Sequence, residues 1–557
     1  MSRRRQWALG LVVVAATGTW LAGGAAAAVL NVPQGFATIQ AAIDAAAGGD
    51  VVLVAPGTYV ENIRFNGKAI TVTSAQGAAQ TIIDGNQAGS VATFASSEGP
   101  ASILDGFTLR NGRGSQTFAG DGGGILVNSA SPTITNNVVT GNRGCDGVGI
   151  SVTLGSPLIQ GNRIEGNVRQ GCTGGLGGGG IAIQGASTAR ILDNVIAGNT
   201  ITSGDGGGIS LFAAATPLIR GNTITGNTAS GLSPCSTGGG IVMFFRSDAD
   251  IVGNVIAGNT AGCGGGVYWL TPSGDRGPLL ASNTIADNNA PQGSGVYADG
   301  FDVQTVLVNN VIVAAAGQTA VFCGNFGDVT PPTFRFNDVF APGGTRYGGV
   351  CSDQTGSNGN VSADPLFVNA AGRDYHLRTG SPAIDTGTNA GPGLAATDVD
   401  HDLRILDGTG DGIAVVDMGA DEVSRLALTA TVNRSRIVAG QTLVLGATVS
   451  NPGLAGAADL YAGMLLPDGV TVVFSTGTGV AVGRLTDLRT FRPYAAGVAL
   501  ATPFVRDLTN LVSYPWTGTE PRGDYLFFNL VTTAGALADG AADAADVLAL
   551  RTATLTF

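Results

Sequence analysis

The chain has 557 residues with 28 basic and 40 acidic side chains, a formal net charge of −12, and it is 12% charged against 44% hydrophobic. That balance opposes a nucleic-acid partner, and the hydrophobic share is too high for a disordered chain. Glycine, at 89 residues, is roughly twice its usual share of about 7%, so the fold must use glycine systematically.

Arg3 to Arg5, an apolar run from Leu9 to Leu21 and the small residues ending at Ala28 read as an export leader over 1–28. Without its three arginines the balance is 25 basic (28 − 3) against 40 acidic, a net of −15. No later stretch is long and apolar enough for a membrane helix. The expected location is therefore secreted: extracellular, cell-surface or periplasmic.

Thr38 is placed to cap a short helix with Ile39, Ala42, Ile43 and Ala46 on one face, stopped by Gly48 and Gly49. Such a helix would plug the open end of a stack of coils.

The middle of the chain is a repeat. The phrase N-x-[IV]-x-x-N starts at Asn137, Asn162, Asn194, Asn222, Asn254 and Asn283, with a degraded copy at Asn310, at spacings of 25, 32, 28, 32, 29 and 27. In antiphase, a small-residue run, usually "GGG", precedes a short alternating strand at Gly122, Gly147, Gly178, Gly206, Gly238, Gly264 and Gly293. Glycine triplets and β-branched alternation oppose helix, so the repeat is a parallel β-solenoid with coils ~4.8 Å apart. Turns between its sheets need φ > 0, which Gly and Asn tolerate best, and asparagines repeated at one turn can bond coil to coil.

The stretch "FATIQAAIDAAAGGDVVLVAPGTYVENIRFNGKAITVTS" (Phe36 to Ser74), joined to these coils, resembles the right-handed parallel β-helix proteins of the pectin-lyase-like superfamily. The resemblance runs from about Gly35 to Glu422 and implies that fold. It leaves activity open, because the superfamily includes lyases, hydrolases, esterases, epimerases and non-catalytic proteins. The segments Ala363 to Gly387 and Asp398 to Glu422 resemble the closing segment of secreted bacterial members.

The cysteines pair one coil apart, at separations of 27, 28 and 28. Stacked positions on neighbouring coils fall within the Cα window of a disulfide, which predicts Cys145–Cys172, Cys235–Cys263 and Cys323–Cys351.

Alternation along the strands after "GGG" points the second and fourth residues outward. Five consecutive coils then present an outward aromatic, Phe212, Phe244, Tyr268, Tyr297 and Phe322, with Gln184 and Asp299 nearby. Two readings stand: a platform for the sugar rings of an extended glycan, or a patch covered by a loop or another domain.

Catalytic residues are harder to find. Beyond the leader there are two histidines, His376 and His401, so a histidine-based triad or metal site in the coils is excluded. The "HGH" pattern of polygalacturonases, the "QDT" of pectin esterases and the "DPH" of alginate epimerases are absent. The resemblance implies a further option, calcium-bound carboxylates with an Arg or Lys base. Asp121, Asp146 and Asp205 each stand four residues before a strand, with Arg143 and Arg169 in the same loops. Stacked carboxylates would repel unless a cation or arginine lay between them, whereas Asp before Gly can simply make a turn. Asp398, Asp400 and Asp402, continued by Asp407, Asp411 and Asp417, offer oxygen ligands for a structural calcium. The EF-hand pattern fails there, because Leu403 replaces the required Gly and Thr409 the bidentate acid.

After Glu422 the repeat and the cysteines stop. Strand-like runs at Leu426, Thr442, Leu460, Val470, Tyr525 and Thr552, divided by turns such as "NPG" and "PDG", predict an antiparallel β-sandwich over 423–557. The whole is expected to be all-β: a right-handed β-helix over 29–422 with an N-terminal helical cap, then the sandwich. The leading functional expectation is a polysaccharide-binding or cell-surface interaction protein. The alternatives are a polysaccharide lyase or hydrolase acting on uronic-acid glycans, and a purely structural surface protein. No motif sets an oligomeric state.

Overall fold

The computed structural model describes residues 27–557 apart from 116–120, 171, 173–176, 214, 233–234, 271–275, 301–303, 327–328, 379, 407, 410–412, 424–425, 452–456, 477–478, 501–503 and 541–546. Residues 1–26 of the expected leader, and Asp407 and Asp411, lie outside the described residues.

Each coil is built from three or four short strands. In one of them the chain runs through Ile209–Phe212 (sheet 1), Leu218–Arg220 (sheet 2), Thr223–Thr225 (sheet 3) and Thr228–Ser230 (sheet 4). Glycines then return it to sheet 1. Sheets 1, 2 and 3 hold 11, 12 and 11 strands and sheet 4 holds four, all paired in parallel. Like residues stack over like: Ile150, Ile181, Ile209, Ile241 and Val267 pair in succession and are fully buried. This keeps one continuous apolar core inside a narrow coil.

The asparagines form two ladders. Asn137, Asn162, Asn194, Asn222, Asn254, Asn283, Asn310, Asn337 and Asn360 stack between sheets 2 and 3, while Asn142, Asn167, Asn199, Asn227, Asn259 and Asn288 stack between sheets 3 and 4. Asn222 is typical. Its backbone N–H and its Nδ2 both donate to Asn254 Oδ1 at 2.9 Å, and Nδ2 also donates to the Ile191 carbonyl at 2.9 Å. The left-handed turn residue is not the ladder asparagine, as expected from the sequence, but the residue before it: Asn136, Gly161, Asp193, Gly221, Gly253, Ser282 or Asn309, with φ between 53° and 67°. The ladder residue turns its amide inward, where it satisfies backbone groups that water cannot reach.

The glycine triplet has two separate causes. Gly206 takes φ 67° to start the turn, whereas a Cβ on Gly208 would lie 2.5 Å from the Gly240 carbonyl and 3.0 Å from Ile224 Cγ2. Only glycine lets consecutive coils approach that closely.

The expected N-terminal helical cap is not supported: among the described residues there is one α-helix, α1, Ile39–Ala45. Thr38 caps its start by accepting from the Ala41 N–H at 3.1 Å, and Lys68 Nζ donates to the carbonyls of Ile43, Asp44 and Ala46 at its end. Ile39, Ala42 and Ile43 are buried in the core.

The three disulfides Cys145–Cys172, Cys235–Cys263 and Cys323–Cys351 each join neighbouring coils, at Cα separations of 5.6, 5.9 and 5.4 Å. The segment beyond Ala363 lies along the side of the solenoid. Tyr375, Leu377, Ala383, Ile384 and Met418 pack on Ala257, Ala286, Val311 and Val313 of sheet 3, and Ala395 joins Val252, Ala281 and Val308 of sheet 2. Two antiparallel sheets complete the chain. Sheet 5 centres on Thr442–Asn451 and Phe504–Pro515, and sheet 6 on Ala457–Leu465, Asp524–Thr533 and Val547–Thr556. Their facing side chains share apolar clusters, for example Leu445 with Tyr525 and Phe527.

Candidate functional site

With sheets 2 and 3 partly overlain, the informative surface is the outer face of sheet 1. Alternation does not expose both outward columns there. Leu126, Ser151, Ala182, Ser210 and Val242, the second residues of their strands, are at most 5% exposed. The cause is the glycine turn, whose first glycine folds over them: a Cβ on Gly206 would sit 2.9 Å from Ser210 Cβ. The fourth residues, among them Asn128, Thr153, Gln184, Phe212, Phe244 and Asp299, remain half-exposed.

Along the later coils aromatic rings fill this face. Ring centroids are 5.9 Å apart for Phe244 and Tyr268, 5.0 Å for Tyr268 and Tyr297, and 4.8 Å for Tyr297 and Phe322. Phe212 reaches the row through a residue the alternation did not predict. Phe245, in the turn after its strand at φ 48°, is 51% exposed and lies 5.0 Å from Phe212 and 6.2 Å from Phe244. Six rings are thus continuous over five coils. Tyr268 is buried; the other five stay open or half-open. Val242, its in-register neighbour, and the Cys235–Cys263 disulfide pack against Tyr268. Gln184 pairs in register with Phe212, and Asp299 pairs with Leu270. Asp299 accepts the Phe326 N–H at 2.9 Å, and burial pushes its carboxyl up. Burial and the Asp299 charge also raise the phenols of Tyr268 and Tyr297, which therefore stay neutral.

The carboxylates lie in one column at the start of sheet 1. The Gly122 N–H donates to the Asp146 carbonyl at 3.1 Å, which places Asp121 and Asp146 on adjacent coils. Asp121 is pushed up to about 6, first by burial and then by the Asp146 charge. The nearby cation is Arg169, whose side chain is 1% exposed and lies 3.8 Å from Asp146, and whose charge also lowers Asp121. Arg169 also donates to the Ser203 carbonyl at 2.7 Å, and a Cβ at Gly204 would lie 2.4 Å from its Nη1, so glycine opens the cradle that holds it. Asp205 accepts from the Thr237 N–H and Oγ1, is raised by burial and feels the Arg169 charge. Arg143 points elsewhere, donating to Gln170 at 2.7 Å on the exposed side. Asp205 also raises Tyr268, so the column and the aromatic row are electrostatic neighbours.

Asp398, Asp400 and Asp402 are not on this face. Asp398 accepts the N–H groups of Asp400, Asp402 and Glu422 at 2.9, 2.7 and 3.0 Å. Arg551, from the last strand of sheet 6, pairs with Asp402 and lies 3.7 Å from Asp398 and 4.0 Å from Asp400. An arginine therefore stands where a calcium would need to sit, and these three residues do not fit a calcium loop. Among the described residues, Asp400 alone of the three belongs to a group with metal-ligand chemistry, His376, Asp400 and Asp421, whose ligand atoms lie within 4.8 Å of one another. His376 is raised to about 10 by its hydrogen bond to Asp400, against desolvation and with help from Asp421 and Asp374. A metal bound there would have to displace that proton.

Among the described residues no helix is long and apolar enough to cross a membrane. A family model described as "Right handed beta helix region" matches residues 57–261 and 124–363. No curated protein matches the chain. Two solved structures are similar: a PL6 family alginate lyase, AlyGC, at 14% identity and a TM-score of 0.30 over 67% of this chain and 60% of that one, and a mutant of the same lyase at 14% and 0.26 over 66% and 60%. The chain spans about three fifths of the length of these lyases.

Proposed function

Because the chain belongs to the right-handed β-helix family, whose coils present side chains as a ladder along one face, we propose that it binds an extended polysaccharide outside the cytoplasm. The observation that carries this reading is the six-ring run from Phe212 to Phe322. Five coils with four steps of ~4.8 Å give a platform of roughly 19 Å, long enough for several sugar rings in line. Rings present flat apolar surface to the C–H faces of sugars, while Gln184, Asp299 and the phenols supply hydrogen bonds to hydroxyls. Three disulfides support an oxidising compartment.

Tyr297→Ala and Phe245→Ala remove one ring each from half-open positions. Each is expected to weaken binding on an array of polysaccharides about tenfold, that is by about 1.4 kcal/mol, with the fold retained by circular dichroism. Unchanged binding by the double variant would end the platform reading.

The carboxylate column favours a second reading, a lyase. Asp121 near pH 6, beside Asp146 and the buried Arg169, is a carboxyl that both gives and takes a proton near neutrality. Incubation with uronic-acid polysaccharides and ultraviolet detection of unsaturated product decides between binding and cleavage. Product that persists in Asp121→Asn would remove the column from that role.

A further inference from the structure

The rings of sheet 1 lie on a surface whose charge is set by the outward residues of its strands. The fourth residues run in register from Asn128 through Thr153 and Gln184, all half-exposed, to Phe212 and Phe244. Leu270 and then Asp299 follow. The second residues, from Leu126 to Phe322, are aliphatic, hydroxyl-bearing or aromatic. Among these described strand residues there is no cation, and the one charged side chain is Asp299.

Asp299 is placed to meet a ligand. It stands two residues beyond Tyr297 on the same half-open face, accepts the Phe326 N–H at 2.9 Å, and occupies a gap that a Cβ on Gly324 would close to 2.2 Å. A second negative charge, Asp205, acts on Tyr268 from the carboxylate column. The neighbouring cations do not offset the two. Arg169 is 1% exposed and is held by Asp146 and the Ser203 carbonyl, and Arg143 donates to Gln170 on the exposed side. Arg246 follows Phe245 in its turn, near the Phe212 end of the row. A polyuronate would lay a carboxylate from every sugar on rings and aliphatic side chains that offer it no partner, at a large cost in lost hydration. The net charge of −12 would repel it at longer range. Hydroxyls incur no such cost, since an amide, a hydroxyl or a carboxylate can each pair with them.

We propose, resting on the platform reading above, that the glycan of this face is uncharged: a polysaccharide of neutral sugars whose C–H faces lie on the rings and whose hydroxyls bond Thr153, Gln184 and Asp299. The rings supply affinity. Asp299, on a face without a cation, supplies selection against acidic glycans.

The test compares matched polymers that differ in charge. Alginate and polygalacturonate are each set against their carboxyl-reduced forms, in which every carboxylate becomes a primary alcohol, and carboxymethylcellulose against hydroxyethylcellulose. Binding of the full chain to the immobilised polymers is measured by biolayer interferometry at neutral pH. At low salt at least one uncharged polymer is expected to bind about tenfold more tightly than its acidic partner. High salt narrows that gap by screening. Asp299→Asn narrows it at low salt, as does Gln184→Arg, which puts a cation beside Phe212 at a half-exposed position. An acidic polymer bound as tightly as its uncharged partner, or more tightly, would overturn the assignment, and so would a lack of binding to all three uncharged polymers. The Tyr297→Ala/Phe245→Ala double variant separates the two levels of the argument. If it loses binding while the acidic polymers are preferred, the platform stands and only its charge selection fails; if it binds as wild type does, the platform reading fails and this inference with it.

Discussion

Asn254 shows what one side chain does in this fold. Its Nδ2 donates to the carbonyls of Ile219 and Val252 and to Asn283 Oδ1, and its own Oδ1 accepts from both nitrogens of Asn222. All of these groups are buried. Asn254→Ala therefore leaves the Ile219 carbonyl without its Nδ2 donor and the Asn222 N–H without an acceptor, takes one of the acceptors of Asn222 Nδ2, and is expected to cost on the order of 3–5 kcal/mol. Asn128→Ala, at a half-exposed position on sheet 1, should be within about 0.5 kcal/mol of wild type. Urea denaturation of the two variants checks the contrast; equal midpoints would show that the ladder contributes nothing specific. The sequence made this ladder legible because stacked coils put like over like, and the same logic located the disulfides. It did not reveal Phe245, because strand alternation says nothing about a residue in the turn beyond the strand. Nor could it show that Arg169 rather than Arg143 enters the carboxylate column, which depends on the cradle opened at Gly204.

At the scale of elements, the strand after each glycine triplet behaves differently from an isolated one. The alternation predicted two outward columns; the glycine turn covers the second residues of the earlier strands, whereas over the later coils the rings cross from the fourth-residue column, Phe212 and Phe244, to the second, where Tyr297 and Phe322 are half-open. The segment beyond Ala363 departs further from its sequence reading. Its aspartates suggested a metal loop, yet Asp398 takes backbone N–H groups from Asp400, Asp402 and Glu422, and Arg551 and His376 bring cationic charge from afar in the sequence. His376 fixes part of this segment, 2.5 Å from Asp374 on one ring nitrogen and 2.5 Å from Asp400 on the other, with Asp421 behind. Its proton is held more tightly in the folded chain, at about 10 against 6.5. The stabilisation is complete below about pH 6.5 and is lost as pH rises through about 10. His376 is close to half exposed, so its contribution is about 1 kcal/mol. Melting temperature should fall from pH 7 to pH 10 in wild type and fall less in His376→Gln, as read by thermal circular dichroism in matched buffers. Parallel pH profiles for the two proteins would mean that this histidine does not couple the segment to pH.

Across the whole molecule, the coil stack is nearly one-dimensional, each coil touching its neighbours, and damage to one coil stays local. Polar contacts join the C-terminal sheets to the rest of the chain. Arg434 donates to the Ala75 carbonyl at 3.2 Å, Asn136 bonds Ser435, and Arg551 reaches Asp398 and Asp402 while donating to the Leu428 carbonyl at 2.7 Å. The last of these is the vulnerable one. The side chains of Asp398 and Asp402 are 0% and 2% exposed, so removing the arginine leaves two buried carboxylates without their cation. Breaking one side of such a pair costs about 3–5 kcal/mol, more than the pair itself contributes. Arg551→Met should therefore loosen the C-terminal sheets from the solenoid while leaving the coils intact. Limited proteolysis should cut faster between the two parts, small-angle scattering should show a larger radius of gyration, and far-ultraviolet circular dichroism should keep the solenoid signal. Adding Asp402→Asn to Arg551→Met removes one stranded charge and should restore part of the compactness, because the two side chains act through the same contact. If Arg551→Met is cut at the wild-type rate and scatters identically, the two parts are joined by the Asn136 and Arg434 contacts instead, and the aspartate run serves only its own segment.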